Sequence, residues 1–239
     1  MLKKLSFILI ILPISIFAQK KNTEILIPSS IRVYDGKEAH LVEKLAQKNW
    51  YSLTKDKQIY NLKKAKVSIS KGYDECAGVE TRIINNDNSE NLIAFINSDY
   101  VTNELKINKV IDSTLVLLPS QHYNFNIKNT PYTLTASSKT KLTKYKENQN
   151  FDEVKDYQLS LINNLTKKRI ILYQQADYVD TITEIEFIGD LDGDNQPDFI
   201  ISSPSFYEES KYIIFLSRNY NWNKIIQQYS AIFYNQFDC

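Results

Sequence analysis

The sequence predicts a mainly β protein, with antiparallel strands arranged as a sandwich, a barrel-like sheet or part of a propeller, and one short helix near the N-terminus. Apolar or β-branched runs of four to seven residues recur at spacings of roughly 10–20 residues. Several runs alternate apolar and polar residues, as in YQLSL, and the segments between them are rich in Asn, Asp, Ser and Lys. The chain has only five Gly and six Pro, which excludes collagen-like and linker-rich classes.

The first 18 residues are predicted to be a secretory signal peptide. Lys3 and Lys4 form a basic start, the 14 residues from Leu5 to Ala18 are apolar or small, and Ala18 precedes the expected cleavage site. This run is shorter than the roughly 20 residues of a membrane-spanning helix, and Pro13 interrupts it. The alternative is an uncleaved membrane anchor. We therefore expect an exported protein, periplasmic or secreted, with no transmembrane segment after signal cleavage.

Residues 19–239 are predicted to form a single β-rich domain. Without its first 18 residues the 239-residue chain has 221, enough for one large β domain or two small ones. Loss of Lys3 and Lys4 leaves 27 basic and 28 acidic residues, a net charge of −1. This balance lacks the basic excess typical of nucleic-acid binding, so no nucleic-acid partner is expected.

The best helix candidate runs from Asp35 to Trp50, and the charged stretch from Lys139 to Asp156 is either a long loop or a second helix. Asp35 is a helix cap with Glu38 three residues later, and apolar residues follow near helical spacing. From Ile59 onward the pattern has the period of strands. The runs predicted as strands are KAKVSIS, ETRII, NLIAFI, STLVLL, YTLTAS, DYQLSLI, KRIILY, TEIEFI, PDFIIS and KYIIFLS.

A loop of nine residues, 190–198, carries four carboxylates at its positions 1, 3, 5 and 9. Alternate side chains of a tight loop point to one side, so these charges converge and repel one another unless a cation binds. Calcium, which takes six to eight oxygen ligands, suits such a set, and the backbone carbonyl at position 7 is a further expected ligand. The alternative is an acidic, solvated turn without an ion. The predicted metal ligands are Asp190, Asp192, Asp194, Gln196 and Asp198.

The loop is predicted to be the tip of a β-hairpin and not an EF-hand. Position 12 of an EF-hand requires Glu, whereas this chain has Ile201 there, and the flanking segments have the pattern of strands. Gly193 and Asn195 are the residues expected to adopt the backbone angles of the loop.

The segment GDLDGDNQPDFII, followed by the strand KYIIFLS, resembles a single FG-GAP or VCBS-type repeat over about residues 183–217. Such repeats carry a D-x-[DN]-G-D-G-x-x-D loop between strands and bind calcium. The resemblance implies calcium ligands at the same five positions. Asn195 replaces the second loop glycine, and the loop occurs once, whereas propellers repeat it. The resemblance therefore implies a calcium-binding hairpin and not a complete propeller.

The two cysteines, Cys76 and Cys239, are predicted to form a disulfide, because an exported protein reaches an oxidising compartment. Two free thiols or an intermolecular bridge are the alternatives.

No catalytic residues are nominated. The two histidines, His40 and His122, are interpreted as surface residues, and no serine lies in a G-x-S-x-G context. The sequence is therefore interpreted as an exported non-enzymatic module, for binding or structural use, with a fold-stabilising calcium ion and an unidentified protein or carbohydrate ligand. One alternative is a secreted hydrolase acting on polysaccharide or cell-wall material through two carboxylates on distant strands. Another is an inhibitor or immunity-type partner of an exported protein, which would show a large apolar patch.

Overall fold

The computed structural model describes residues 22–85, 91–140 and 153–237. The predicted signal peptide and most of the stretch 139–156 lie outside these ranges. Within them the chain forms 16 strands in four antiparallel sheets and one α-helix, so the predicted β-rich class is confirmed. None of the four described sheets closes on itself. The strands in chain order are β1 Thr23–Leu26, β2 Ser30–Val33, β3 Trp50–Lys55, β4 Ile59–Ala65, β5 Ser68–Asp74, β6 Val79–Asn85, β7 Leu92–Ser98, β8 Leu105–Asn108, β9 His122–Ile127, β10 Thr130–Ser137, β11 Tyr157–Asn163, β12 Arg169–Gln175, β13 Glu184–Gly189, β14 Asp198–Ser202, β15 Glu209–Phe215 and β16 Ala231–Gln236.

The N-terminal half builds two sheets, a five-stranded one in the order β1-β7-β3-β4-β8 and a three-stranded one in the order β2-β6-β5. The C-terminal half builds two four-stranded meanders, in which each strand pairs with the next along the chain. These are the outer meander, β9 to β12, and the central sheet, β13 to β16.

The central sheet is buried on both faces. Phe187, Ile200 and Ile214 join one hydrophobic core with the five-stranded sheet. Ile188 and Phe199, which point the other way, join a second core with the outer meander. All five residues of β14 are buried, which explains why the sequence PDFIIS is a continuous apolar run without alternation. The central sheet is thus the shared layer between two cores.

The helix α1, Gly36–Glu43, begins where predicted and ends earlier. Asp35 caps it by accepting a hydrogen bond from the backbone N–H of Glu38, at 2.8 Å. A 3₁₀ turn follows, and the predicted extension to Trp50 is wrong, because Trp50 begins β3 with only 1% of its surface exposed. Burial of the indole in the sheet therefore overrides the helical spacing of the residues before it.

One predicted strand is also wrong. The run STLVLL, residues 113–118, is an irregular link in which only Leu115 forms a bridge, to Ile185 of β13. Within the described ranges, no helix has the length and apolar character needed to span a bilayer.

Candidate functional site

The aspartate loop, residues 190–198, is the tip of the β13–β14 hairpin, as predicted. Gly189 and Asp198 form the last strand pair before the loop. Gly193 and Asn195 have φ angles of 75° and 67°, the left-handed region expected for the residues that turn the chain. After the loop, Phe199 and the next two residues are fully buried, so the hairpin is anchored in both cores.

Three of the predicted ligands form a carboxylate cluster. One oxygen from each of Asp190, Asp192 and Asp194 lies within 4.8 Å of the other two. The loop backbone supports them: the N–H of Asp194 donates to Asp190 Oδ1 at 3.0 Å, and that of Asn195 donates to Asp190 Oδ2 at 3.0 Å. The N–H of Gln196 donates to Asp194 Oδ1 at 2.8 Å. The cluster has the hard oxygen donors that a calcium ion requires.

Asp192 is the most enclosed member of the carboxylate cluster. Its side chain is 0% exposed, and its Oδ2 atom is buried with no hydrogen-bond partner within the described structure. The Arg218 Nε atom lies 3.3 Å from this oxygen and forms an ion pair with it. Burial, followed by the negative charge of Asp194, raises the pKa of Asp192 to about 6. This oxygen pairs with Arg218 but accepts no hydrogen bond from the described residues, so it retains lone pairs for a cation.

Asp198 is placed differently from the cluster. Its side chain is fully buried, and its two oxygens accept hydrogen bonds from the backbone N–H groups of Leu191, at 2.5 Å, and Ser217, at 2.7 Å. Burial and the charge of Asp192 raise its pKa well above the usual range, while the two N–H groups oppose this shift. Asp198 therefore joins the base of the aspartate loop to the segment that follows β15.

Gln196 contacts both the cluster and the C-terminal segment through its side chain. Its Nε2 lies 3.3 Å from Asp194 Oδ2, and its Oε1 accepts a hydrogen bond from Trp222 Nε1 at 3.3 Å. The predicted role of its backbone carbonyl as a cation ligand stays a prediction.

The closing segment, residues 217–222, is a part of the site that the sequence pattern missed. Ser217 donates from its hydroxyl to Asp194 Oδ1 at 2.8 Å, and Arg218 pairs with Asp192. Tyr220 donates to the backbone carbonyl of Pro197 at 3.0 Å. The position of this segment directly after the strand that pairs with β14 is the one signal that would have indicated it.

The cysteines are only partly described. Cys76 lies in the exposed turn between β5 and β6 and is not a free thiol, whereas Cys239 lies outside the described residues. The predicted pairing between them stays a prediction.

Two cavities elsewhere are each lined by two acidic residues. Asp35 and Glu80 line one of about 470 Å³, and Glu24 and Asp99 line another of about 590 Å³. Asp35 caps the helix N-terminus, and Glu80 pairs with a buried arginine. Glu24 pairs with a lysine, and Asp99 accepts a hydrogen bond from a backbone N–H.

Comparison of the chain with protein-family models, with curated proteins and with solved structures gave no match in any of the three. The resemblance to an FG-GAP or VCBS-type repeat is carried by the loop and its flanking strands alone.

Proposed function

We propose that this chain is an exported, non-enzymatic binding or structural module whose central hairpin is stabilised by a calcium ion at the aspartate loop. The observation that carries the proposal is the carboxylate cluster, in which three carboxylates converge to within 4.8 Å and Asp192 keeps a buried oxygen without a hydrogen bond. A divalent cation offsets the mutual repulsion of these charges. Calcium fits better than magnesium, because magnesium retains several waters and is seldom enclosed by protein ligands alone.

The position of the loop supports a structural role for the ion. The hairpin it closes supplies buried residues to both hydrophobic cores, so holding the loop together holds the shared sheet together. Several carboxylates around one dication also reduce its capacity to activate a bound water.

The acidic residues that line the two other cavities support the non-enzymatic interpretation. A hydrolase with two catalytic carboxylates needs them to face each other across a cleft and to be available to the substrate. Here each of the four carboxylates already has a hydrogen-bond or ion-pair partner other than the second carboxylate of its cavity. The secreted-hydrolase alternative is therefore the less supported of the two.

Apolar side chains near the C-terminus support the binding interpretation. Six large side chains between residues 225 and 237 are 39% to 71% exposed, and two of them share one face of β16. Two exposed side chains side by side on one strand face, with four more in the adjoining residues, are a candidate contact surface for a partner. They are Ile225, Ile226, Tyr229, Ile232, Tyr234 and Phe237.

The test is calorimetric titration of the mature protein, residues 19–239, with calcium, together with thermal unfolding. A calcium concentration ten times the dissociation constant stabilises the folded state by about 1.4 kcal/mol. This corresponds to a rise of about 3–6 °C in Tm for a chain of this size. Asp192→Asn removes a ligand and should abolish most of the rise, whereas the matched control Asp112→Asn, at an exposed aspartate outside the loop, should keep it. Absence of binding at millimolar calcium would contradict the proposal, since even weak extracellular sites bind at about 1 mM.

A further inference from the structure

A crevice of about 560 Å³ lies beside the aspartate loop. Its walls come from three layers of the fold: β8 and the residues after it, the turn between β9 and β10, and the loop itself at Gly189, Asp190 and Gly193. Its volume falls within the range of about 300–1,000 Å³ that is typical of small-molecule sites. Asp190 belongs to both the crevice wall and the carboxylate cluster, so the two features are continuous.

The crevice has an apolar wall, and three of the four charged residues that line it are lysines, here called the lysine rim. Ile107 and Ile127 are buried side chains of its wall, and its charged residues are Lys106, Lys109, Lys128 and Asp190. Three cations against one carboxylate favour an anionic ligand. A cation bound at Asp190 would offset the one negative charge and make the crevice more positive still.

The lysine ammoniums retain N–H donors for such a ligand. Lys109 is held in place, because its ammonium donates to the backbone carbonyl of Lys57 at 2.9 Å and lies 5.8 Å from the ring centroid of Tyr60. An ammonium has three N–H donors, so two remain. Lys106 and Lys128 are exposed, and in the described part of the chain neither forms an ion pair.

We propose that this crevice is a binding site for a small carboxylate-bearing molecule. Its carboxylate pairs with the lysine rim and its remaining atoms pack on the isoleucines. The crevice is lined by lysines and by no arginine, so it would hold the anion by charge and not through the paired, planar hydrogen bonds of a guanidinium. A carboxylate oxygen is also a ligand that calcium accepts. The inference rests on the proposed calcium site in one respect, namely that calcium removes the charge of Asp190 from the crevice.

The test is calorimetric titration of the mature protein with galacturonate and with N-acetylglutamate, which separate a sugar acid from an amino-acid-derived acid as the source of the carboxylate. Galactose is the neutral control for the sugar. We expect at least one acid to bind in the presence of calcium and galactose not to bind. Lys128→Gln should weaken acid binding about fivefold, the effect of about 1 kcal/mol from one exposed ion pair. Lys168→Gln, at an exposed lysine in the turn between β11 and β12, is the matched control and should leave it unchanged.

Titration with calcium alone separates the two proposals. Normal calcium binding with no heat from either acid overturns the crevice site and leaves the calcium site in place. Equal acid binding by the Lys128→Gln and Lys168→Gln variants also overturns the crevice site, because the ligand would then bind elsewhere. Acid binding that depends on Lys128 in a protein that does not bind calcium supports the crevice and overturns the calcium site.

Discussion

Replacing Asp198 by Asn tests whether this carboxylate stabilises the fold through the backbone, separately from any cation. The two carboxylate oxygens accept hydrogen bonds from the N–H groups of Leu191 and Ser217, and the side chain is 0% exposed. Asn has nearly the same shape and keeps one acceptor, but it turns an NH₂ group toward the other N–H. The variant therefore leaves a buried donor without an acceptor.

The expected loss in the free energy of unfolding follows from the two hydrogen bonds to Asp198. A charge-assisted hydrogen bond contributes about 1.5–3 kcal/mol, and a buried donor left unsatisfied costs about 1–3 kcal/mol. Removal of a buried negative charge offsets part of this cost, because burial and Asp192 already disfavour the ionised form of Asp198. We expect a net loss of about 2 kcal/mol, which lowers Tm by about 4–8 °C in a chain of this size.

The assay is thermal unfolding followed by circular dichroism in excess chelator and again in excess calcium. Asp198→Asn should lower Tm in both solutions, because its backbone bonds do not require the ion. The matched variant is Asp190→Asn, in the half-exposed part of the loop, which should lower Tm only in calcium, since water can replace its hydrogen bonds. Equal Tm values for Asp198→Asn and the unaltered protein in chelator would refute this reasoning and assign Asp198 the role of a cation ligand alone.

Three further predictions concern other parts of the fold. Arg218→Gln removes the positive charge beside the carboxylate cluster, so it should lower Tm in chelator more than in calcium. Gly189→Ala places a Cβ atom 2.5 Å from a buried phenylalanine ring carbon and should cost about 1–3 kcal/mol in the free energy of unfolding. Gly36→Ala meets no atom within 4 Å and serves as its control in the same denaturant titration. If Cys76 and Cys239 form the predicted disulfide, the intact mass of the exported protein should rise by about 2 Da on reduction, and two alkylatable thiols before reduction would contradict the pairing.

Features of the site that depend on neighbours in sequence could be predicted from the sequence. The spacing of the aspartates sets the convergence of Asp190, Asp192 and Asp194, because a nine-residue loop leaves alternate side chains few directions. The left-handed angles at Gly193 and Asn195 follow equally from residue type.

Features that depend on the pairing of distant segments could not be predicted. The closing segment meets the aspartate loop only because β15 pairs with β14 and ends beside it, and residues such as Ser217 and Arg218 carry no pattern that marks them. The same limit applies to Asp198, whose bond to the N–H of Ser217 spans 19 residues. The run at residues 113–118 has strand composition but no partner strand among the described residues beyond one bridge, and composition alone does not reveal that.

The position of the central sheet between the two cores determines how the protein unfolds. β14 is paired along both edges and covered on both faces, so its backbone N–H groups are shielded on every side. Separation of either the five-stranded sheet or the outer meander exposes the apolar residues on one face of the central sheet, while those on its other face stay in the remaining core. Partial unfolding therefore has a high free energy. We expect the amide hydrogens of β14 to exchange with solvent only when the whole molecule unfolds. Their exchange rates report the free energy of global unfolding. The amide exchange rates of the more exposed strands in the three-stranded sheet can be compared with them.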